Sequence, residues 1–308
     1  MASLDLHSEL YRILKAVSRS FYLSMVFLPK AMRPSISLAY LLARATDSVA
    51  DSTNLDGEVL LTTLQRMKSA IQGDLSPAER VALQHKLSGD FAQAQKHASE
   101  AELLQQFEAC LCLLEQSPLG EAQLIRSVLN TIIEGQSWDL SFFKDNKQVS
   151  SNKQTQDYTY MVAGCVGEFW TDLGLLCLGK KGFCPDGEPA TMKERGIHYG
   201  CGLQLVNILR DYKEDAQNGR AYLLDESRDK WLHTAYNHLQ EGISYSLQLA
   251  SLRLRFTSVL PALLGMKTLN LISLQEEGSN RKAKISRAQV YATMLEALTL
   301  CLWRRAPH

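Results

Sequence analysis

Gln204, Asn207, Asp211 and Asp215 lie three, four and four residues apart in the stretch QLVNILRDYKED. At helical periodicity that spacing puts all four side chains on one face. Leu205, Ile208, Leu209 and Tyr212 anchor the other faces. Two carboxylates and two amides on a rigid helix are hard oxygen ligands. They suit Mg2+, which keeps some waters and takes its remaining ligands from substrate phosphates. Arg210 and Lys213 stand beside them as phosphate contacts. Taken alone, such a face reads as a solvated helix with salt bridges. A second face of the same kind changes that reading. Tyr40, Arg44, Asp47 and Asp51 follow one another at spacings of four, three and four. Two Asp-x-x-x-Asp faces, opposed across a cavity, could bind several Mg2+ ions and hold a diphosphate between them.

The elements that must position these faces are helical. Apolar residues recur at helical period along most of the chain, and strand-like alternation is scarce. Helices are expected over Leu4–Val17, Tyr40–Asp51, Glu58–Gln72, Pro77–Lys86, Asp90–His97, Ala101–Gln116 and Glu121–Phe143, then over Asp157–Leu178, Lys193–Asp215, Asp229–Leu249, Leu252–Leu264 and Ser286–Trp303. The polar run Ser18–Tyr22 breaks the first helix, and Pro29 and Pro34 bracket a turn. Ser35 or Ser37 is the expected cap of the Tyr40–Asp51 helix, and Ser286 that of the last one. Small residues in Asp157–Leu178 (Ala163, Gly164, Gly167, Gly174) permit close packing or leave room for a ligand. No internal repeat, low-complexity tract or interdomain linker stands out, so a single all-α domain spanning residues 1–308 is expected.

Composition narrows the function. The 308 residues are 45% hydrophobic and 21% charged, enough for a large core and unlike a disordered chain. Thirty-three basic residues balance thirty-three acidic ones, so there is no electrostatic reason to expect nucleic acid. Seven scattered cysteines lack metal-ligand spacing and read as reduced thiols of a cytosolic protein. The N-terminus has no apolar signal region, and no run of about 18 uncharged apolar residues occurs.

With both aspartate stretches placed, the chain resembles the squalene/phytoene synthase family of head-to-head prenyl-diphosphate synthases. The resemblance runs from about Ser18 to the last helix. It rests on five motifs in order: Ser18-Arg19-Ser20-Phe21; Tyr40-x3-Arg44-x2-Asp47-x3-Asp51; Gly135-x3-Asp139; Tyr158-x3-Val162-Ala163-Gly164-x2-Gly167; and Gln204-x2-Asn207-x2-Arg210-Asp211-x3-Asp215-x4-Arg220-x-Tyr222. It implies an all-α isoprenoid-synthase helical bundle around a deep central cavity. It implies further that Asp47, Asp51, Asp211 and Asp215 bind Mg2+, with Asn207 and Gln204 supporting the second site. Arg19, Arg44 and Arg210 would hold diphosphate oxygens, with Val162 and Gly167 also on the substrate side. Tyr40, Phe21 and Tyr158 would offer aromatic faces to a carbocation.

The reaction so implied joins two farnesyl diphosphates into presqualene diphosphate, which NADPH then reduces to squalene. The segment Asn280–Arg287 looks like the basic NADPH-binding segment of squalene synthases, with Lys282, Lys284 and Arg287 as the cations for a 2′-phosphate. A solvated loop explains the same charges, and no GxGxxG occurs. Without hydride transfer the product would be presqualene diphosphate or a dehydrosqualene- or phytoene-type hydrocarbon. A third reading is a non-catalytic helical interaction protein, against which all four aspartates argue. Three positions depart from the family pattern: Ala50 for an acidic residue, Gln136 for methionine and Leu224 for proline. They bear on product and chain length. Eukaryotic relatives end in a membrane anchor; here no anchor follows Trp303-Arg304-Arg305. A cytoplasmic enzyme with peripheral membrane contact for product release is therefore expected.

Overall fold

The computed structural model describes residues 8–18, 21–52, 54–224, 228–274 and 283–303. Among these, every regular element is helical, and the only extended pairing is an isolated bridge between Gln148 and Ala221. The chain divides into two compact units, residues 1–26 with 30–144, and residues 27–29 with 145–308.

The first unit carries α1 (Ser8–Ser18), α2 (Phe21–Phe27), α3 (Arg33–Ala50), α4 (Gly57–Gln72), α5 (Pro77–Lys86), a π-helical turn (Leu87–Phe91), α6 (Ala92–Ala94), α7 (Ala98–Gln105), α8 (Phe107–Gln116) and α9 (Leu119–Asp145). Helix α3 is central to it. Leu38, Leu41, Leu42, Ala45 and Val49 are buried, against α1, α4, α7 and α8. Neither Ser35 nor Ser37 caps α3. The helix starts two residues earlier, at Arg33, and both serines are buried inside it. Pro34 explains the early start, since its ring pre-sets the helical φ and leaves no N–H to satisfy. The Ser35 hydroxyl donates instead to Glu121 on α9. Other ends follow local chemistry. Asp56 caps α4, Gly73 closes it at φ 89°, and Ser76 and Glu79 form a capping box on α5.

Three expectations here are corrected. Helix α2 starts at Phe21, inside the expected Ser18–Tyr22 break; the helix expected over Asp90–His97 is a π-helical turn and one short α-helical turn; and Ala101–Gln116 is two helices broken at Gln106.

The second unit carries α10 (Asn152–Thr159), a π-helical turn (Tyr160–Gly164), α11 (Cys165–Phe183), α12 (Pro189–Gln217), α13 (Arg228–Gln248), α14 (Leu252–Ser273) and α15 (Arg287–Trp303). Helix α12, 29 residues long, packs against α11, α13 and α14. Its contact with α11 depends on glycine. A Cβ built on Gly167 would lie 1.8 Å from the Gly196 carbonyl oxygen, and one on Gly200 would lie 2.1 Å from that of Ala163. Helix α14 runs past its expected end at Leu264, through Pro261, to Ser273. Ser286 caps α15 as expected: its hydroxyl accepts from Gln289 N–H, and the Gln289 side chain accepts from Ser286 N–H. Residues 152–183 and α14 are long and apolar enough to cross a bilayer by length and composition. Core helices share that property, and half of the α14 window is buried against its neighbours.

Candidate active site

In the first unit, α3 presents Tyr40, Arg44, Asp47 and Asp51 on one side, because its leucines fill the other. The Arg44 guanidinium donates to Asp47 Oδ2 at 2.5 Å and to Glu100 Oε1 at 2.6 Å. Glu100 is on α7, with 12% of its side chain accessible. It is a residue the motifs did not single out. Tyr40 is tied to the end of α1, its hydroxyl donating to the Val17 carbonyl at 3.2 Å. The Asp47 carboxyl is pushed up to about 7, first by lost hydration and then by the like charge of Asp51, with Arg44 opposing. With 41% of the Asp47 side chain accessible, solvent screens part of that push. Two carboxylates that disfavour each other's ionisation are an arrangement a divalent cation relieves. The donor set on α3 therefore fits Mg2+ in type and charge.

In the second unit, α12 buries Leu205, Val206, Ile208 and Leu209 and leaves the polar face accessible. Gln204, Asp211 and Asp215 are half-buried, and Asn207 and Arg210 are exposed. The Asn207 amide donates to Gln204 Oε1 at 3.4 Å, and Arg210 pairs with Asp211 at 2.5 Å. The one-face reading of Gln204–Asp215 thus holds as geometry. Its two carboxylates and two amides again fit a hard cation. The Arg210 guanidinium is held by its neighbour Asp211.

In the same unit the Tyr158 and Tyr222 rings stack, with centroids 4.9 Å apart and planes at 15°. Both are buried. The backbone explains the pairing. Val149 N–H donates to Ala221 O, and Ala221 N–H to Lys147 O, each at 3.0 Å. The Thr155 hydroxyl donates to Tyr222 O at 2.7 Å. Those bonds draw the segment after α12 back onto α10. Tyr158 precedes the π-helical turn that contains Val162, which is half-buried; such turns often mark functional sites. Gly167 is placed against α12, where its lack of a side chain is required by the Gly196 backbone.

Lys284 and Arg287 are exposed at the start of the last helix. Arg19, Lys282 and the side chain of Phe21 lie outside the described residues. Asp139 is buried on α9. Among the described residues, the seven cysteines are free thiols.

This helical architecture is of the isoprenoid-synthase type. It aligns with the complex of TcSQS with a ligand, BPH1237, at a TM-score of 0.73 and 22% identity, over 97% of this chain and 91% of that one. A dehydrosqualene synthase in complex with ligand aligns at 0.60 and 21% identity, over 94% of each chain. The family described as squalene/phytoene synthase matches residues 14–227, and the chain belongs to it. The squalene synthase of Schizosaccharomyces pombe is 22% identical over 94% of this chain, which spans 65% of that enzyme's length.

Proposed function

We propose that the chain is a Mg2+-dependent farnesyl-diphosphate farnesyltransferase that makes squalene, by way of presqualene diphosphate, with NADPH as reductant. One observation carries most of this reading: the α3 face, on which Asp47 and Asp51 crowd each other while Glu100 and Asp47 fix the Arg44 guanidinium. Farnesyl diphosphate is an allylic diphosphate, and it ionises when the departing negative charge is met by preorganised positive charge. Bound Mg2+, held by Asp47 and Asp51 and by Asp211, Asp215 and Asn207 with Gln204 beside them, would supply most of that charge. Arg44 and Arg210 would take diphosphate oxygens, and Arg19 is proposed for the same task. Arg44 and Arg210 are each already aimed by a carboxylate, so little ordering is lost on binding.

The aromatic faces of Tyr40 and Tyr158, with Phe21 proposed beside them, would stabilise the farnesyl cation without attacking it. The stack on Tyr222 holds the Tyr158 ring in one orientation. The first cation joins C1 of one farnesyl group to the double bond of the second, and a proton leaves to close the cyclopropane. A second loss of diphosphate and rearrangement gives the cation that hydride quenches. Lys282, Lys284 and Arg287 are proposed for the NADPH phosphate.

A second reading stops without hydride, at a dehydrosqualene-type product. The dehydrosqualene synthase that shares this fold favours keeping it. The test is product identification by mass spectrometry, with farnesyl diphosphate and Mg2+, with and without NADPH. Squalene only in the presence of NADPH supports the proposal. The same dehydro product in both reactions supports the second reading. No diphosphate release refutes both.

A further inference from the structure

A threonine inside a helix commonly gives its hydroxyl to the carbonyl one turn back. Thr63, Thr171, Thr257, Thr268 and Thr293 all do so, each bonding the carbonyl four residues earlier. Thr155 on α10 does not. It is buried, and its hydroxyl donates across 67 residues to the Tyr222 carbonyl at 2.7 Å. Three residues further along α10, on the same side of the helix, Tyr158 stacks on the Tyr222 ring. Neighbours on one helix therefore grip Tyr222 at two points, its carbonyl and its ring. We propose that Thr155 is a positioning residue for the reaction proposed above: by holding the Tyr222 carbonyl it fixes the Tyr222 ring, and through it the face that Tyr158 offers to the carbocation. The inference rests on that reading of the chemistry.

The segment that carries Tyr222 lies between α12 and α13 and belongs to neither helix, so its place comes from its ties. At one end the Arg220 N–H donates to the Asp215 carbonyl at 2.8 Å, so the segment starts from the turn of α12 that carries Asp215. Next, the Lys147 and Val149 backbones hold Ala221. The two carbonyls that follow take side-chain donors: Thr155 holds that of Tyr222, and the Gln148 amide holds that of Leu223 at 2.9 Å. Without the Thr155 hydroxyl the backbone bonds of Ala221 remain, and the line of the segment with them. The Tyr222 peptide is then free to tilt, and the ring on the same Cα tilts with it, out of register with Tyr158. A purely structural role is the rival reading. A buried carbonyl that loses its donor costs stability wherever it lies, so a fall in Tm decides nothing. The kinetic pattern decides. The Tyr158 face meets positive charge only as diphosphate departs, so its misalignment lowers kcat and spares KM.

The test is diphosphate release from farnesyl diphosphate and Mg2+ by the full chain, at a temperature where thermal melts show every variant folded. Thr155→Val keeps the branched shape and removes the hydroxyl. It should lower kcat about tenfold and leave KM within about twofold of wild type. Thr155→Ser restores the donor and should recover about half of the wild-type kcat or more. Thr257→Val is the control, because that buried hydroxyl bonds only carbonyls of its own helix; it should lower Tm without lowering kcat. A wild-type kcat in Thr155→Val overturns the proposal. So does a loss that Thr155→Ser fails to restore, or one that Thr257→Val shares. Should Thr155→Val not fold, Gln148→Ala decides, since it frees the next carbonyl from a half-buried position. Its kcat should fall about two- to threefold, and an unchanged kcat overturns the proposal. The two readings fail differently. Wild-type protein that releases no diphosphate removes the enzyme assignment and the positioning role together, whereas wild-type turnover with an unaffected Thr155→Val removes the positioning role alone.

Discussion

Gly167→Ala is the most sharply constrained substitution in the second unit. The added methyl carbon would sit 1.8 Å from the Gly196 carbonyl oxygen and 2.4 Å from its carbon. The shortest comfortable carbon–oxygen contact is about 3.3 Å, so α11 and α12 would have to part by about 1.5 Å along that line. Neither atom can turn aside, because both belong to the backbone of a helix interior. The same seam holds Gly200 against Ala163 and Gly164 against Cys201. Parting it strips contacts from the whole interface, where a gap of even 1 Å forfeits up to half of a contact's dispersion energy. Overpacking ordinarily costs about 1–3 kcal/mol, and this case belongs at or above the upper end. A loss of about 3 kcal/mol corresponds to a fall in Tm of roughly 6–12 °C in a domain of this size.

The assay is thermal and urea unfolding of Gly167→Ala beside Gly57→Ala. Gly57 opens α4, and a Cβ there meets nothing within 4 Å. Gly57→Ala should leave Tm unchanged or slightly raised. A Tm for Gly167→Ala within 1 °C of wild type would refute the argument, since the helices would then have absorbed the methyl group at no cost.

Three further outcomes are expected. Glu100→Gln removes the second carboxylate from Arg44 and leaves the fold intact, so KM for farnesyl diphosphate should rise about tenfold with little change in Tm; unchanged kinetics would show that Glu100 does not position Arg44. The His238 imidazole, stacked on His198 at 4.9 Å, is held down to about 4 by lost hydration and then by the charge of His198. Above pH 6.5 it does not affect stability; between 6.5 and 4 the unfolded chain takes the proton first, so stability falls with pH, by about 1–2 kcal/mol once solvent screening is allowed for. His238→Gln should flatten that limb in urea titrations at pH 7 and pH 4.5, and an unaltered slope would place the acid sensitivity elsewhere. Lys284→Ala/Arg287→Ala should raise KM for NADPH severalfold while diphosphate release from farnesyl diphosphate persists; equal loss of both would place these cations on the farnesyl diphosphate side.

The two acidic faces were legible in the sequence because they are local. A helix of 3.6 residues per turn turns spacings of three and four into a shared side, and the buried Leu205, Ile208 and Leu209 keep that side of α12 accessible. Caps with their own side chains were legible for the same reason, as at Ser286. Breaks with no signature residue were not. Gln106 interrupts a run that keeps its helical composition on both sides, and the π-helical turn at Tyr160–Gly164 uses residues that suit an α-helix equally well. The end expected at Leu264 is the opposite error: α14 continues to Ser273, where its flanks pack on α12 and α13.

Long-range partners left no trace in local pattern. Glu100 meets Arg44 across 56 residues, from a stretch (SEAE) that any solvated helix could contain. Motifs therefore report residues that share a face sooner than the distant residues that hold them. The glycines illustrate the same limit. Gly164 and Gly167 read equally as packing residues or as pocket lining, because absence of a side chain serves either purpose. Only the Gly196 carbonyl, brought to Gly167 by a helix some thirty residues away, decides for packing at that position. It follows that substitutions at Gly167 should act first on stability, and that any effect on product should track the displacement of α12 and the polar face it carries.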